Sequence, residues 1–431
     1  MKFTKLSFFF IFSIFSLQNA FSQFTINAEL RPRFEFRDGY KQMVSTNPDP
    51  NFMVSQRSRL SFNFANDKVI TKISFQDVRI WGDEKYKTDV ASTGLKEGWV
   101  DIKLCDSLWL KMGRQEFNYD NERLMSSLNW NQVGVSHDGV LFHMKYNTWS
   151  LDAGGAFNQV SDATLWGTDY SLYSATNYKS LAFFWLSKKL GNLKITATVI
   201  SDGYQKAYTT NTTYMRLTSG LSLIYKTPKF NASVRGYWQG GKDKNGVDIN
   251  AWFAQADASY TLFKKLTLQL GYEHWSGQFS NTKKQNNSFN LLYGSAHKFN
   301  GSMDYFTSND DVIGMGLNDL YFNITYGINN KLFLKADYHY FNTDKDFFYK
   351  GTTIYSFNKS LGNEIDLSAV WHIYPYLNLQ GGYSFMLPSS SFKVAQFEYS
   401  GVEYNSSRIP QWAFVMLTFN MDIFKFGNEK K

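Results

Sequence analysis

Between Phe24 and Arg37 apolar and polar residues alternate without a break. Phe24, Ile26, Ala28, Leu30, Pro32, Phe34 and Phe36 fall on one face of an extended chain, and Thr25, Asn27, Glu29, Arg31, Arg33, Glu35 and Arg37 on the other, because successive side chains of a strand point to opposite sides. A soluble sandwich rarely needs a strand this long. A strand crossing a tilted membrane barrel needs roughly 9–11 residues within the hydrocarbon, plus its rims. Guanidinium groups cannot face lipid, so the polar face is expected to line a wet interior.

Residues 1–22 read as an export signal. Lys2 and Lys5 make a positive start, Leu6 to Leu17 is an apolar run, and Ala20-Phe21-Ser22 offers small residues for cleavage, leaving Gln23 as the new terminus. The run is short of the about 18 apolar residues a spanning helix needs. Residues 23–431 show no linker, low-complexity tract or composition shift, so they are expected to form a single outer-membrane β-barrel domain.

Composition supports that class. The chain holds 39 Phe, 27 Tyr and 12 Trp, yet its mean hydropathy is −0.37 and the mature part has no long apolar stretch, which excludes membrane helices. Only a closed barrel can span a bilayer with every second residue polar, since its backbone hydrogen bonds are met between strands. Seven prolines and one cysteine suit long ladders without disulfides, and Cys105, beside a tight turn, reads as structural or incidental.

Alternating segments meet at eight tight turns: 65–68, 105–107, 146–148, 190–192, 227–229, 263–265, 329–331 and 374–376. Between them lie nine longer connections, near 38–53, 80–95, 118–135, 159–178, 203–213, 240–249, 276–315, 342–360 and 388–409, rich in Asn, Asp, Ser, Gly and Thr. Their alternation predicts an antiparallel barrel of about 18 strands, with short periplasmic turns, long extracellular loops and both chain ends on the short-turn side. Asn287 to Ser295 could pass for another strand, but counting it would put the turn at Asn329 on the wrong side of the membrane, so it belongs in the longest loop. Such long loops commonly fold inward and narrow a wide channel.

The alternation also selects the lumen. It places Arg31, Arg33, Arg57, Arg59, Lys103, Lys111, Arg216, Arg235 and Lys335 on the wet face, with the amino-terminal half the more basic. One reading is a cationic conduit, because guanidinium groups in a low-dielectric tube focus a positive field. The other is that these groups pair with Glu29, Glu35 and Asp101 and stiffen the wall. Removing Lys2 and Lys5 takes the 45 basic residues to 43 against 37 acidic ones, a net of +6 that gives no reason to invoke nucleic acid.

Gly113-Arg114-Gln115-Glu116-Phe117, Tyr119-Asp120-Asn121-Glu122-Arg123-Leu124, Asn129-Trp130 and Ser136-His137-Asp138-Gly139-Val140 together resemble the core signature of the alginate export family of outer-membrane porins, especially its Bacteroidetes branch. Gln76-Asp77-Val78-Arg79, His297-Lys298-Phe299-Asn300-Gly301 and Gly362-Asn363-Glu364-Ile365-Asp366-Leu367 agree with it. The resemblance implies an 18-stranded barrel passing an acidic polysaccharide through an arginine-lined pore. By motif it adds Arg114, Glu116, Asp120, Glu122 and Arg123 as a charged cluster near the mouth or constriction, serving either cargo or a loop-fixing salt-bridge network. The tail from Asn420 to Lys431 departs from the family, since it does not finish on an aromatic strand residue.

The expected function is therefore a passive outer-membrane channel for anionic solutes, chiefly alginate-like poly- or oligosaccharides. The alternatives are a general diffusion porin and a barrel-anchored surface-binding protein. Outer-membrane lipid, the acidic cargo and periplasmic or surface glycan-handling proteins are the partners such a channel implies. No cofactor, metal or catalysis is expected. Ser136, His137 and Asp138 alternate between faces and cannot form a relay, six scattered histidines lack ligand spacing, and Asn309-Asp310-Asp311 reads as a solvated loop.

Overall fold

The computed structural model describes residues 22–427 apart from 47–49, 84–91, 159–176, 207–211, 279–284, 351–352, 402–404 and 406; residues 1–21 of the expected export signal lie outside them. The wall is built from β1 (Gln23–Asp38), β2 (Asn51–Ala65), β3 (Val69–Ile80), β4 (Gly94–Lys103), β5 (Leu108–Gln115), β6 (His137–Tyr146), β7 (Trp149–Phe157), β8 (Ser180–Leu190) and β9 (Leu193–Gln205). It continues through β10 (Thr213–Lys226), β11 (Phe230–Lys242), β12 (Asp248–Leu262), β13 (Leu266–Trp275), β14 (Leu317–Gly327), β15 (Leu332–Thr343), β16 (Ser360–Tyr374), β17 (Leu377–Pro388) and β18 (Gln411–Phe426). Each strand pairs antiparallel with the next, and β1 pairs with β18 from Phe24↔Phe426 to Asp38↔Gln411, which closes the sheet. Closure leaves no unpaired edge, the condition for a sheet to live in lipid.

All eight short turns fall where the alternation ends. The segment at 287–295 does not join the wall, because β13 pairs directly with β14 from Trp275↔Leu317 to Leu266↔Tyr326. Only Gln285–Asn286, just before it, forms a two-residue strand, parallel to Asp248–Ile249.

Outward positions carry the apolar residues. Phe52, Trp81, Trp238, Trp252 and Tyr272 are exposed toward the long-loop end, and Tyr146, Trp149, Phe263, Tyr326, Trp371, Tyr374 and Phe426 toward the short-turn end. Between these belts lie Leu60, Ile73, Val140, Leu221, Leu223, Val234, Leu270, Leu334, Leu367 and Val415. Two aromatic girdles around an aliphatic band are what a barrel presents to a bilayer and its two interfaces.

The buried apolar residues lie mainly inside the barrel. Phe117, Met125, Phe289, Met303, Tyr305, Phe306, Val312 and Met315 come from loops, and Phe392 and Ala395 from helix α1 (Ser390–Ser400). Phe306 packs its ring 4.4 Å from Phe341 of β15 and 5.5 Å from Phe392, so loop, wall and helix share one interior core.

Candidate functional site

Residues 116–136, between β5 and β6, cross the lumen. The guanidinium of Arg31 on β1 donates to the carbonyls of Asn129 (2.7 Å), Asn131 (3.1 Å) and Trp130 (3.3 Å) and to Gln132 Oε1 (3.0 Å). Arg57 on β2 donates to Asn129 Oδ1 (3.0 Å), Gln76 on β3 to the Val133 carbonyl (2.8 Å) and Lys96 on β4 to the Val135 carbonyl (2.7 Å). At its other end Tyr119 donates to Asp152 on β7 (2.8 Å), Asp120 accepts from Trp185 on β8 (3.2 Å) and Thr196 on β9 (3.1 Å), and Asn121 donates to Gln255 on β12 (3.3 Å). A segment bonded to inward-facing residues this far round a closed wall can lie only within it.

Residues 287–316 form a second inner loop. Tyr293 donates to Asp202 on β9 (2.8 Å), Asn300 to Asp319 on β14 (3.2 Å), and the Met303 and Ser302 amides to Glu364 (2.7 Å) and Asp366 (3.3 Å) on β16. The two loops bond to each other through Tyr293 N–H to the Leu124 carbonyl (3.0 Å), Ser126 N–H to the Tyr293 carbonyl (3.1 Å) and Ser295 N–H to the Glu122 carbonyl (2.9 Å). Trp130 stacks on His297 at 4.2 Å. Gly294 is needed here, because a Cβ would collide with the Arg123 carbonyl.

Arg123 is the knot. Fully enclosed, it pairs with Glu273 of β13 and donates to Asn300 Oδ1 (2.6 Å) and the Ser295 carbonyl (3.3 Å), with the Phe299 ring 4.5 Å away. Asp120 and Glu122 flank it in left-handed backbone, at φ 52° and 71°. Non-glycine residues accept that conformation where surroundings over-determine it, often at functional sites.

The charged cluster expected from the motif thus separates into roles. Glu116 meets Lys96 at 3.3 Å and Glu122 meets Lys298 at 3.4 Å, both partly open to solvent. Asp120 and Arg123 fix the loop. Arg114 is a correction: it lies across from Gly98 and Asp138, on the face of Met112 and Val140, and bonds Asp138 at 2.8 Å. Cross-strand partners share a face, so Arg114 points out of the barrel at its long-loop end, while its neighbour Gln115 points in.

A second correction concerns contact with solvent. Arg31, Arg33, Arg57, Arg216 and Arg235 face inward but are buried. Arg33 bonds Glu35 (2.9 Å) and the Trp130 carbonyl (3.1 Å), Arg57 pairs with Glu29, Arg216 with Asp202 (2.5 Å), and Arg235 with Ser233 (2.7 Å) and Asp257 (3.4 Å). Sequence alone could not show that the inner loops cover them. Arg59, bonded to Gln76 at 2.9 Å, Lys103 beside Asp106 at 2.9 Å, Lys111 over the Trp99 ring at 3.7 Å and Lys335 beside Asp337 at 2.7 Å keep partial exposure.

Openings border these loops. A vestibule of about 530 Å³ on the long-loop side is lined by Arg33, Arg37, Lys41 and Arg79 with Glu35, Asp304 and Trp130. A cavity of about 380 Å³ under β11–β16 is more acidic, with Asp257, Glu273, Asp319, Asp337 and Asp366 facing Arg235, Lys335 and His339. In the loop beside the vestibule, burial would raise the Asp304 carboxyl, but His297 (2.7 Å), Lys41 (3.7 Å) and the Tyr40 hydroxyl (2.5 Å) outweigh it and hold the group below the usual carboxylate range. Among the described residues no cluster of His, Cys, Asp or Glu is arranged to hold a metal.

A family model described as alginate export matches residues 22–401. The chain belongs to the alginate export family. Solved barrels agree in fold: OccAB1 of Acinetobacter baumannii (12% identity, TM-score 0.60, covering 93% of this chain and 97% of that one), OccK11 (OpdR) of Pseudomonas aeruginosa (12%, 0.59, 94% and 96%) and OpdK of P. aeruginosa with vanillate (9%, 0.57, 94% and 99%). No curated protein matches the sequence. This alginate export family member is an outer-membrane porin, a channel in contact with membrane lipid, and its loop knot falls within the matched residues.

Proposed function

We propose that the channel is a passive conduit for anionic solutes, with acidic, alginate-like oligosaccharides the class that fits it best. One observation carries the reading: basic groups descend the β1–β5 wall from Arg37 at the vestibule through Arg33, Arg31, Arg57 and Arg59 to Lys72 and Lys111 near the short turns. The covered arginines act on a solute through their field, which a low-dielectric wall focuses, and not by contact. Glu29, Glu35 and Glu97 are interleaved with them and keep any one position from trapping a carboxylate, the balance that conduction requires. The solved OpdK complex holds vanillate, a small carboxylate, which accords with an anionic cargo.

Planar-bilayer recording on the full-length protein tests this. In a KCl gradient the reversal potential should report anion preference, oligouronates should block, and Arg37→Gln with Lys41→Gln should weaken both. Cation selectivity ends the reading, and absence of any conductance moves the protein to the surface-anchor class.

A further inference from the structure

We infer that the β5–β9 wall carries, close to the short turns, a subsite that binds the carboxylate of an acidic sugar. The inference rests on the anion-conduit reading and adds to it a place. A cavity of about 630 Å³ opens there, lined by Lys111, Lys145, Lys189, Lys194, His143 and Trp185 among others. Its size falls within the roughly 300–1,000 Å³ of small-ligand clefts.

Its lysines differ from the arginines of the β1–β2 wall. Lys189 and Lys194 stand directly opposite each other across the β8–β9 pair, and like charges so placed repel. Among the described residues neither Lys145 nor Lys189 pairs with a carboxylate, while Lys194 reaches Asp120 only at 3.7 Å. Two acids share the lining, Asp101 bonded to His143 at 2.9 Å and Asp152 accepting from Tyr119 at 2.8 Å, so Lys111, Lys145, Lys189 and Lys194 outnumber the lining carboxylates two to one. Positive charge is therefore in excess around an open space, and an anion seated between Lys189 and Lys194 relieves the repulsion. Leu141 and the Trp185 ring, which also carries the Lys194 ammonium at 5.0 Å, add an apolar border against which the C–H edges of a sugar ring can lie. A carboxylate with a pyranose attached satisfies both features, whereas an inorganic anion uses only the lysines.

The test places a tetramer of 1,4-linked hexuronate on the short-turn side of an oriented bilayer. Block by the tetramer should weaken at least tenfold in Lys189→Gln/Lys194→Gln and persist in Lys189→Arg/Lys194→Arg, and a neutral hexose tetramer should not block. Calorimetry of the same tetramers on the detergent-solubilised full chain reads the site even without conductance. An undiminished response in the glutamine variant, or an equal response to the neutral tetramer, overturns the subsite. Anion selectivity with undiminished block sinks the subsite alone, whereas cation selectivity sinks the conduit reading beneath it.

Discussion

Arg123 is enclosed with Glu273 at its side and Asn300, Ser295 and Phe299 around it. Removing one partner of such a pair leaves a buried charge uncompensated, at a cost of about 3–5 kcal/mol. Arg123→Met should therefore free the 116–136 loop, read as protease cleavage within it and as a noisier, larger conductance. Asp304 predicts a pH dependence. Its carboxyl is held below the ordinary value, so its anchoring of the second loop is complete above about pH 4 and is lost as pH falls through the lower folded value. Hydrogen exchange of the Met303 amide should stay slow down to that range and accelerate below it. For Arg114 the expectation is negative: facing outward beside Asp138, it should leave ion selectivity unchanged when replaced by Ala. The outward setting was legible in the sequence, since Lys111 inward and Met112 outward already place Arg114 outward; the family motif pulled the other way.

At the scale of elements, every strand of the wall was legible and so was the inward fold of the longest loop, expected from its length, but the path of residues 116–136 was not. Strands announce themselves because lipid on one side and water on the other enforce a period of two, which is why the turns at 66–68, 147–148 and 191–192 fall where alternation stops. The inward course of residues 116–136 rests instead on pairs remote in sequence, such as Arg31 with Asn129 and Arg123 with Glu273, that no local pattern encodes. Arg31, Arg33 and Arg57, legible as wet-face residues, thus proved to be loop anchors, a role requiring knowledge of what covers them. The basic cavity near the short turns was missed because Lys145, Lys189 and Lys194 sit at strand ends, where lysine is ordinarily a solvated rim. Replacing residues 118–134 by a short Gly-Ser linker should raise single-channel conductance several-fold while leaving the barrel heat-stable, since the ladders themselves are untouched.

Across the whole molecule the lumen is electrically lopsided, basic under β1–β9 and richer in acids under β11–β16. Such a field weakens as the Debye length shrinks from about 10 Å at 0.1 M salt to about 3 Å at 1 M. Anion preference measured from reversal potentials should decline over that range, and a preference indifferent to salt would point to contact sites alone. The loop spanning from β1 and β2 to β12 and β13 has one more consequence. A hoop of eighteen strands resists stretching along its hydrogen bonds but ovalises easily, and a chord fastened to distant arcs braces it against that deformation. Lateral squeezing of the wall would then load that same chord before it strained the ladders.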